Sequence, residues 1–99
     1  MSYQTKQQAI GYILKSTLDV GATTRELVTL YRELEETIDN QTVLDNYTTI
    51  DYAENVGRIV GLDNKRINAI SSNLYYLYDT TSVEEAELLY QSFVSIFKS

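Results

Sequence analysis

Apolar residues recur at helical spacing along almost the whole chain. Ile10 is followed by Ile13, Leu14 and Leu18, so that each of the four lies three or four residues from another. This spacing places them on one face of an α-helix. The strict alternation of apolar and polar residues that marks a half-buried strand is absent over any useful length, and no internal repeat is evident. The pattern therefore predicts an all-α protein.

The first half of the chain carries signals for two helices. The first is predicted to run from about Gln4 to Asp19, with Gly21 supplying the left-handed residue that stops it. Thr23 and Glu26 have the spacing of a capping box, in which each side chain accepts from the other residue's backbone N–H. The second helix then carries an apolar stripe formed by Leu27, Leu30, Tyr31, Leu34 and Ile38.

The middle of the chain is less regular. Residues 41–50 fit either a short helix or a loop, because Asp, Asn and Thr weaken their helical propensity. Asp51 is predicted to cap a helix that Gly61 ends, and Asp63 to cap a further helix that ends between residues 79 and 81. The inward positions of this further helix are predicted to be Ile67, Ile70, Leu74 and Leu77.

The last helix has the clearest start. Ser82 and Glu85 form a second capping box, and Lys98 lies at the negative end of the helix. The apolar seam of this helix consists of Val83, Ala86, Tyr90, Phe93 and Phe97. The sequence thus predicts a single domain over residues 1–99, built as an antiparallel up-and-down bundle of four or five helices.

The amino-acid composition limits the reactions and the partners that the chain can have. The chain has 14 acidic and 8 basic residues, a net charge of -6, and no Cys, His, Pro or Trp. Thiol and imidazole chemistry is therefore excluded, and we predict no enzyme activity, no catalytic, cofactor-binding or metal-binding residues, and no cofactor. The apolar runs are too short to span a bilayer, which needs roughly 20 residues, so a cytoplasmic protein is expected. Acidity favours protein partners over nucleic acid.

Tyrosine is abundant, with 9 residues in the chain. Tyr75, Tyr76 and Tyr78 cannot all point to one side of a helix, because successive residues rotate by about 100°. These rings either close gaps between helices or, with Tyr90 on the last helix, form part of a partner-binding patch.

A helix–turn–helix pattern spans residues 51–72. A helix ending at Gly61 is followed by a short turn, the capping Asp63 and a second helix, an arrangement that DNA-binding domains use, often as homodimers. The acidic net charge argues against this reading. The residues that would contact DNA are Arg58, Asn64, Lys65, Arg66 and Asn68.

The second half of the chain also resembles a known family. The aromatic cluster Leu74-Tyr75-Tyr76-Leu77-Tyr78, the polar turn Asp79-Thr80-Thr81 and the segment Glu87-Leu88-Leu89-Tyr90 resemble the pediocin-like (class IIa, enterocin A type) bacteriocin immunity proteins. The segment Tyr-Arg-Glu-Leu-Glu-Glu at residues 31–36 resembles the end of that family's second helix. The members of that family are small cytosolic antiparallel four-helix bundles, and the resemblance implies the same fold here.

The resemblance implies a non-catalytic function. Such a protein protects its producer by recognising, from the cytoplasmic face of the membrane, a sugar-transporter receptor that a bacteriocin occupies. The family's specificity region maps here onto residues 75–99, which adds Phe97 and Lys98 to the candidate partner-binding residues. An antitoxin-like protein inhibitor is an alternative of the same binding class.

Overall fold

The computed structural model describes residues 3–98, and this part of the chain is all-helical. It contains α1 (Lys6–Asp19), α2 (Thr24–Thr37), α3 (Asn46–Ile59), α4 (Asn64–Thr80) and α5 (Val83–Lys98). The predicted all-α bundle is confirmed, with five helices among the described residues. No helix in residues 3–98 is long and apolar enough to cross a membrane.

The predicted stop and start signals act as expected at five helix ends. Gly21 and Gly61 adopt positive φ angles of 94° and 92° directly after α1 and α3. Thr23 and Glu26 form the capping box of α2, and Asp63 accepts from the backbone N–H of Arg66 at 2.8 Å. Ser82 and Glu85 exchange the equivalent bonds at the start of α5, with distances of 3.1 and 3.2 Å.

The prediction that Asp51 caps the third helix is wrong. Asp45 is the N-cap, accepting from the N–H of Thr48 at 2.7 Å, and Asp51 lies inside α3. The ambiguous segment 41–50 is therefore a loop that passes into the first turn of α3. Asp45 and Asp51 are both followed by residues compatible with a helix, and the structure uses the earlier cap because it brings Thr49 and Ile50 into the core.

The first helix also differs slightly from its prediction. Thr5 is its N-cap, and Gln4 lies outside the helix, where it pairs with Leu44 through two backbone hydrogen bonds of 2.7 and 2.9 Å. Leu18, which was predicted to face inward, is exposed.

The chain contains an internal repeat, contrary to the sequence-based expectation. Adding 40 to a residue number in the α1–α2 hairpin gives the structurally equivalent residue of the α3–α4 hairpin: N-caps Thr5 and Asp45, and turn residues Gly21 and Gly61. Buried core positions correspond in the same way, for example Leu34 and Leu74. Few positions are identical, which is why the repeat is hard to see in the sequence: Ile10/Ile50, Tyr12/Tyr52, Val20/Val60, Gly21/Gly61, Leu34/Leu74 and Asp39/Asp79.

The two hairpins are related by an approximate two-fold axis. Gln4 pairs with its own equivalent, Leu44, through reciprocal hydrogen bonds, and Glu26 forms an ion pair of 2.6 Å with its equivalent, Arg66. Reciprocal bonds in an antiparallel pair of equivalent residues are the arrangement that a two-fold axis between them produces. The helices α1 to α4 thus form one pseudo-symmetric unit.

Helix α5 lies outside this symmetry and packs on α1, with which it makes the most extensive helix–helix contact. The contact depends on Gly11, since a Cβ atom at this position would lie 2.0 Å from the carbonyl oxygen of Ala86. At the start of α5, the hydroxyl of Tyr12 donates to the carbonyl oxygen of Thr81 at 2.6 Å. The fold therefore has one covered hairpin and one that α5 does not cover.

Candidate functional site

The predicted partner-binding tyrosines divide into two groups. Tyr75 and Tyr76 are exposed on α4, as a surface role requires. Tyr78 turns inward, with its ring 4.9 Å edge-on from that of Tyr12 and its hydroxyl 3.5 Å from the carbonyl oxygen of Asn46. Burial raises the pKa of Tyr78 far above its ordinary value. Tyr78 thus helps to join α4 to α1.

The predicted residues on α5 mostly attach that helix to α2. The hydroxyl of Tyr90 donates to Glu35 Oε1 at 2.7 Å, and its pKa is raised, first by burial and then by this carboxylate. Phe97 packs with its ring 5.3 Å from that of Tyr31. Lys98 is exposed at the end of the helix. Tyr90 and Phe97 are therefore packed between helices, whereas Lys98 is available to a partner.

A surface that the sequence did not reveal lies between α1 and α5. It is an open groove of about 390 Å³ beside Leu88, whose side chain is 62% exposed. We call it the α1–α5 groove, and its lining residues are Lys15, Thr81, Glu85, Leu88, Leu89 and Ser92. Leu88 lies outside the predicted seam of α5, so an apolar residue off the seam is the signal by which the sequence could have identified it.

Tyr76 is exposed on α4, a helix that packs against α1. Asn73 Nδ2 donates to Asp19 Oδ2 at 3.2 Å, and the hydroxyl of Tyr12 reaches the end of α4. These contacts set α1 and α4 antiparallel, so that Lys15 and Tyr76 lie at a similar height along the two helices. Lys15 itself forms an ion pair of 2.8 Å with Asp19. The lining of the groove thus combines the apolar side chains of Leu88 and Leu89 with the charged groups of Lys15 and Glu85, a composition suited to binding protein.

Comparisons with known proteins add no further assignment. The chain matches no protein-family model, no curated protein and no solved structure.

The candidate DNA-binding residues lie at the turn between α3 and α4. Arg66 is already engaged, since its two terminal nitrogens each donate to a Glu26 oxygen at 2.6 Å. This bidentate pair, together with the N–H of Thr23, lowers the pKa of Glu26 to about 2. The other candidates are exposed: Arg58, Asn64, Lys65 and Asn68.

Replacing Glu26 with glutamine is expected to lower the free energy of unfolding at pH 7 by about 1 kcal/mol, the size typical of a solvent-accessible bidentate pair. The folded pKa of about 2 lies below the ordinary value of 4.5. The charge therefore stabilises the fold above about pH 4.5, and this contribution is lost as the pH falls toward 2. Urea unfolding of the wild type and of Glu26→Gln at pH 7 and at about pH 2.5 measures the difference in their free energies of unfolding at each pH.

The control is Glu36→Gln, which removes an exposed carboxylate from the same helix. We expect it to change stability little at either pH. A difference between the wild type and Glu26→Gln that stayed undiminished at the lower pH would contradict this account of the Glu26–Arg66 pair.

Proposed function

We propose that this chain is a non-catalytic, cytoplasmic protein-binding module that uses the α1–α5 groove and the exposed Tyr76 of α4. The observation that carries the proposal is Leu88, a large apolar side chain that stays 62% exposed beside an open groove. Apolar side chains next to a concave, mixed-charge surface are characteristic of protein-binding sites. Lys15 and Glu85, which line the groove with opposite charges, would orient the partner.

The specific activity that we propose is bacteriocin immunity. The resemblance of residues 74–90 to the pediocin-like immunity proteins supports it, and so does the all-α architecture. The partner would then be a membrane sugar-transporter receptor with bound bacteriocin, recognised from the cytoplasmic face. Tyr75, Tyr76, Leu88 and Lys98 lie in the C-terminal region to which the resemblance assigns specificity, and each is exposed.

The DNA-binding alternative has weaker support. Arg66 is paired with Glu26, which leaves Arg58 and Lys65 as the cations of this turn that could meet phosphate, against a net charge of -6. Two cations neutralise few phosphates. An antitoxin-like inhibitor would use the same kind of surface as an immunity protein and differs only in its partner.

Expression of the protein in a strain sensitive to class IIa bacteriocins is expected to raise the concentration of at least one such peptide that is needed to stop growth. Leu88→Asp should abolish this protection, because burying a leucine at an interface contributes about 1.5–3 kcal/mol, or roughly a tenfold to hundredfold change in affinity. Growth-inhibition assays over a panel of peptides measure the effect.

Ile59→Asp is the matched control, since Ile59 is 65% exposed and lies at the end of α3. It should leave protection intact. Unchanged sensitivity to the whole panel with the wild-type protein would reject immunity, and equal loss of protection in both variants would reject the α1–α5 groove as the binding surface.

A further inference from the structure

A second groove, on α3, corresponds residue by residue to the face of α1 that carries α5. Its volume is about 300 Å³. We call it the open α3 face. It is lined by Thr48, Asp51, Tyr52 and Asn55, the repeat equivalents of Gln8, Gly11, Tyr12 and Lys15.

The four residues of α1 that are equivalent to the lining of the open α3 face lie against α5 or against the turn that leads into it. Gly11 meets the backbone of Ala86, and Tyr12 donates to the carbonyl oxygen of Thr81. Gln8 Nε2 lies 3.5 Å from Glu87 Oε1, and Lys15 lines the α1–α5 groove. In this repeat, these positions therefore form the surface on which a helix packs.

Helix α5 does not cover the open α3 face. Asp51 and Asn55 are exposed, whereas their equivalents Gly11 and Lys15 are buried and half-buried. Tyr52 is the equivalent of Tyr12, so an aromatic ring lies at the same position on α3, and this ring packs partly against the core. The face thus retains the position and the aromatic residue of a helix-binding surface but has no helix on it.

At the four lining positions, the net charge is positive on α1 and negative on α3. On α1, Lys15 faces a helix whose first turns carry Glu84, Glu85 and Glu87. On α3, asparagine replaces that lysine, and Asp51 introduces a carboxylate where α1 has Gly11. A second copy of α5 would bring carboxylates toward Asp51 and be repelled, whereas a helix with lysine or arginine on its contact face would be attracted.

We propose that the open α3 face binds a basic amphipathic helix of a partner protein. A glycine allows α5 to touch the backbone of α1, but the Cβ atom of Asp51 keeps a bound helix farther from α3. The resulting space accommodates a long cationic side chain against the Asp51 carboxylate, with its aliphatic part on the ring of Tyr52. This inference does not depend on the proposed immunity function or on partner binding at the α1–α5 groove.

The test uses a synthetic peptide with the sequence of residues 83–98 in which Glu84, Glu85 and Glu87 are replaced by lysine. Titrated into the isotopically labelled full-length protein, it is expected to shift the backbone amide signals of residues 48, 51, 52 and 55 in NMR spectra. The unmodified α5 peptide should cause no such shifts. Asp51→Lys should weaken binding of the basic peptide by about tenfold or more, because it places like charges in contact.

Glu36→Lys is the matched control, since it makes the same change of charge at an exposed position on α2. It should leave the affinity within about twofold, as expected of a distant, screened charge. Three results would overturn the proposal: no shifts at millimolar peptide, shifts centred on α1 and α5 because the peptide displaces α5, or equal weakening by Asp51→Lys and Glu36→Lys.

Discussion

Replacing Gly11 with alanine is expected to lower the free energy of unfolding by about 3 kcal/mol or more, because α5 can no longer pack on α1. The added Cβ would lie 2.0 Å from the carbonyl oxygen of Ala86 and 3.3 Å from the backbone nitrogen of Tyr90. Both obstacles are backbone atoms, so no side-chain rotation relieves the overlap, and overpacking of this kind costs several kcal/mol. Chemical denaturation followed by circular dichroism measures the loss.

Gly57→Ala is the natural comparison, since Gly57 is also a buried glycine inside a helix. There the added Cβ would lie 3.3 Å from Cγ1 of Ile67, a side-chain atom that can move by a few tenths of an ångström. Alanine also gains about 1 kcal/mol of helix propensity over glycine. The cost of the close contact with Ile67 and the gain in helix propensity should nearly cancel, so the free energy of unfolding should change little. Equal destabilisation by Gly11→Ala and Gly57→Ala would show that the close backbone contact between α1 and α5 makes alanine no more costly at position 11 than at position 57.

The local signals in the sequence predicted much of the fold. Thr23 with Glu26 and Ser82 with Glu85 are capping boxes in the structure, because such a pair satisfies two backbone N–H groups within a few residues. Gly21 is likewise a local signal, since its positive φ depends only on its own backbone. These features need no knowledge of the rest of the chain.

Long-range contacts could not be predicted from the sequence, because each residue gives no local signal of a distant partner. Gly11 gave no signal because a glycine within a helical pattern is only a weak propensity penalty until the helix packed against it is known. The Glu26–Arg66 pair joins residues 40 positions apart, and in sequence each is an ordinary charged residue of a first helical turn. The same holds for Tyr90, which was predicted both in the apolar seam of the last helix and in a partner-binding patch, because its bond to Glu35 joins residues 55 positions apart.

The internal two-fold axis and α5 together explain why the two hairpins have diverged. Positions at the axis must suit their own equivalents, which accounts for the opposite charges of Glu26 and Arg66. The position at which the backbone of α5 touches α1 must be small, which accounts for Gly11, whereas the equivalent Asp51 has no such restriction. The asymmetry of the surface thus follows from the presence of one additional helix on a nearly symmetric unit.

Replacing Lys6 with methionine is expected to lower the free energy of unfolding by roughly 2 to 3 kcal/mol. Lys6 is only 6% exposed, and its ammonium group donates to the carbonyl oxygen of Glu35 at 2.6 Å and to Asn40 Oδ1 at 3.0 Å. The last carbonyl groups of a helix have no partner within the helix, so Lys6 supplies both a donor and a positive charge at the end of α2. Methionine fills a similar volume but leaves that carbonyl buried and unpaired. Urea unfolding measures the loss.

Lys15→Met is the control. It removes only a surface ion pair with Asp19, so urea unfolding should show a change in the free energy of unfolding within about 0.5 kcal/mol. A Lys6→Met protein as stable as the Lys15→Met protein would mean that solvent, rather than Lys6, satisfies the end of α2.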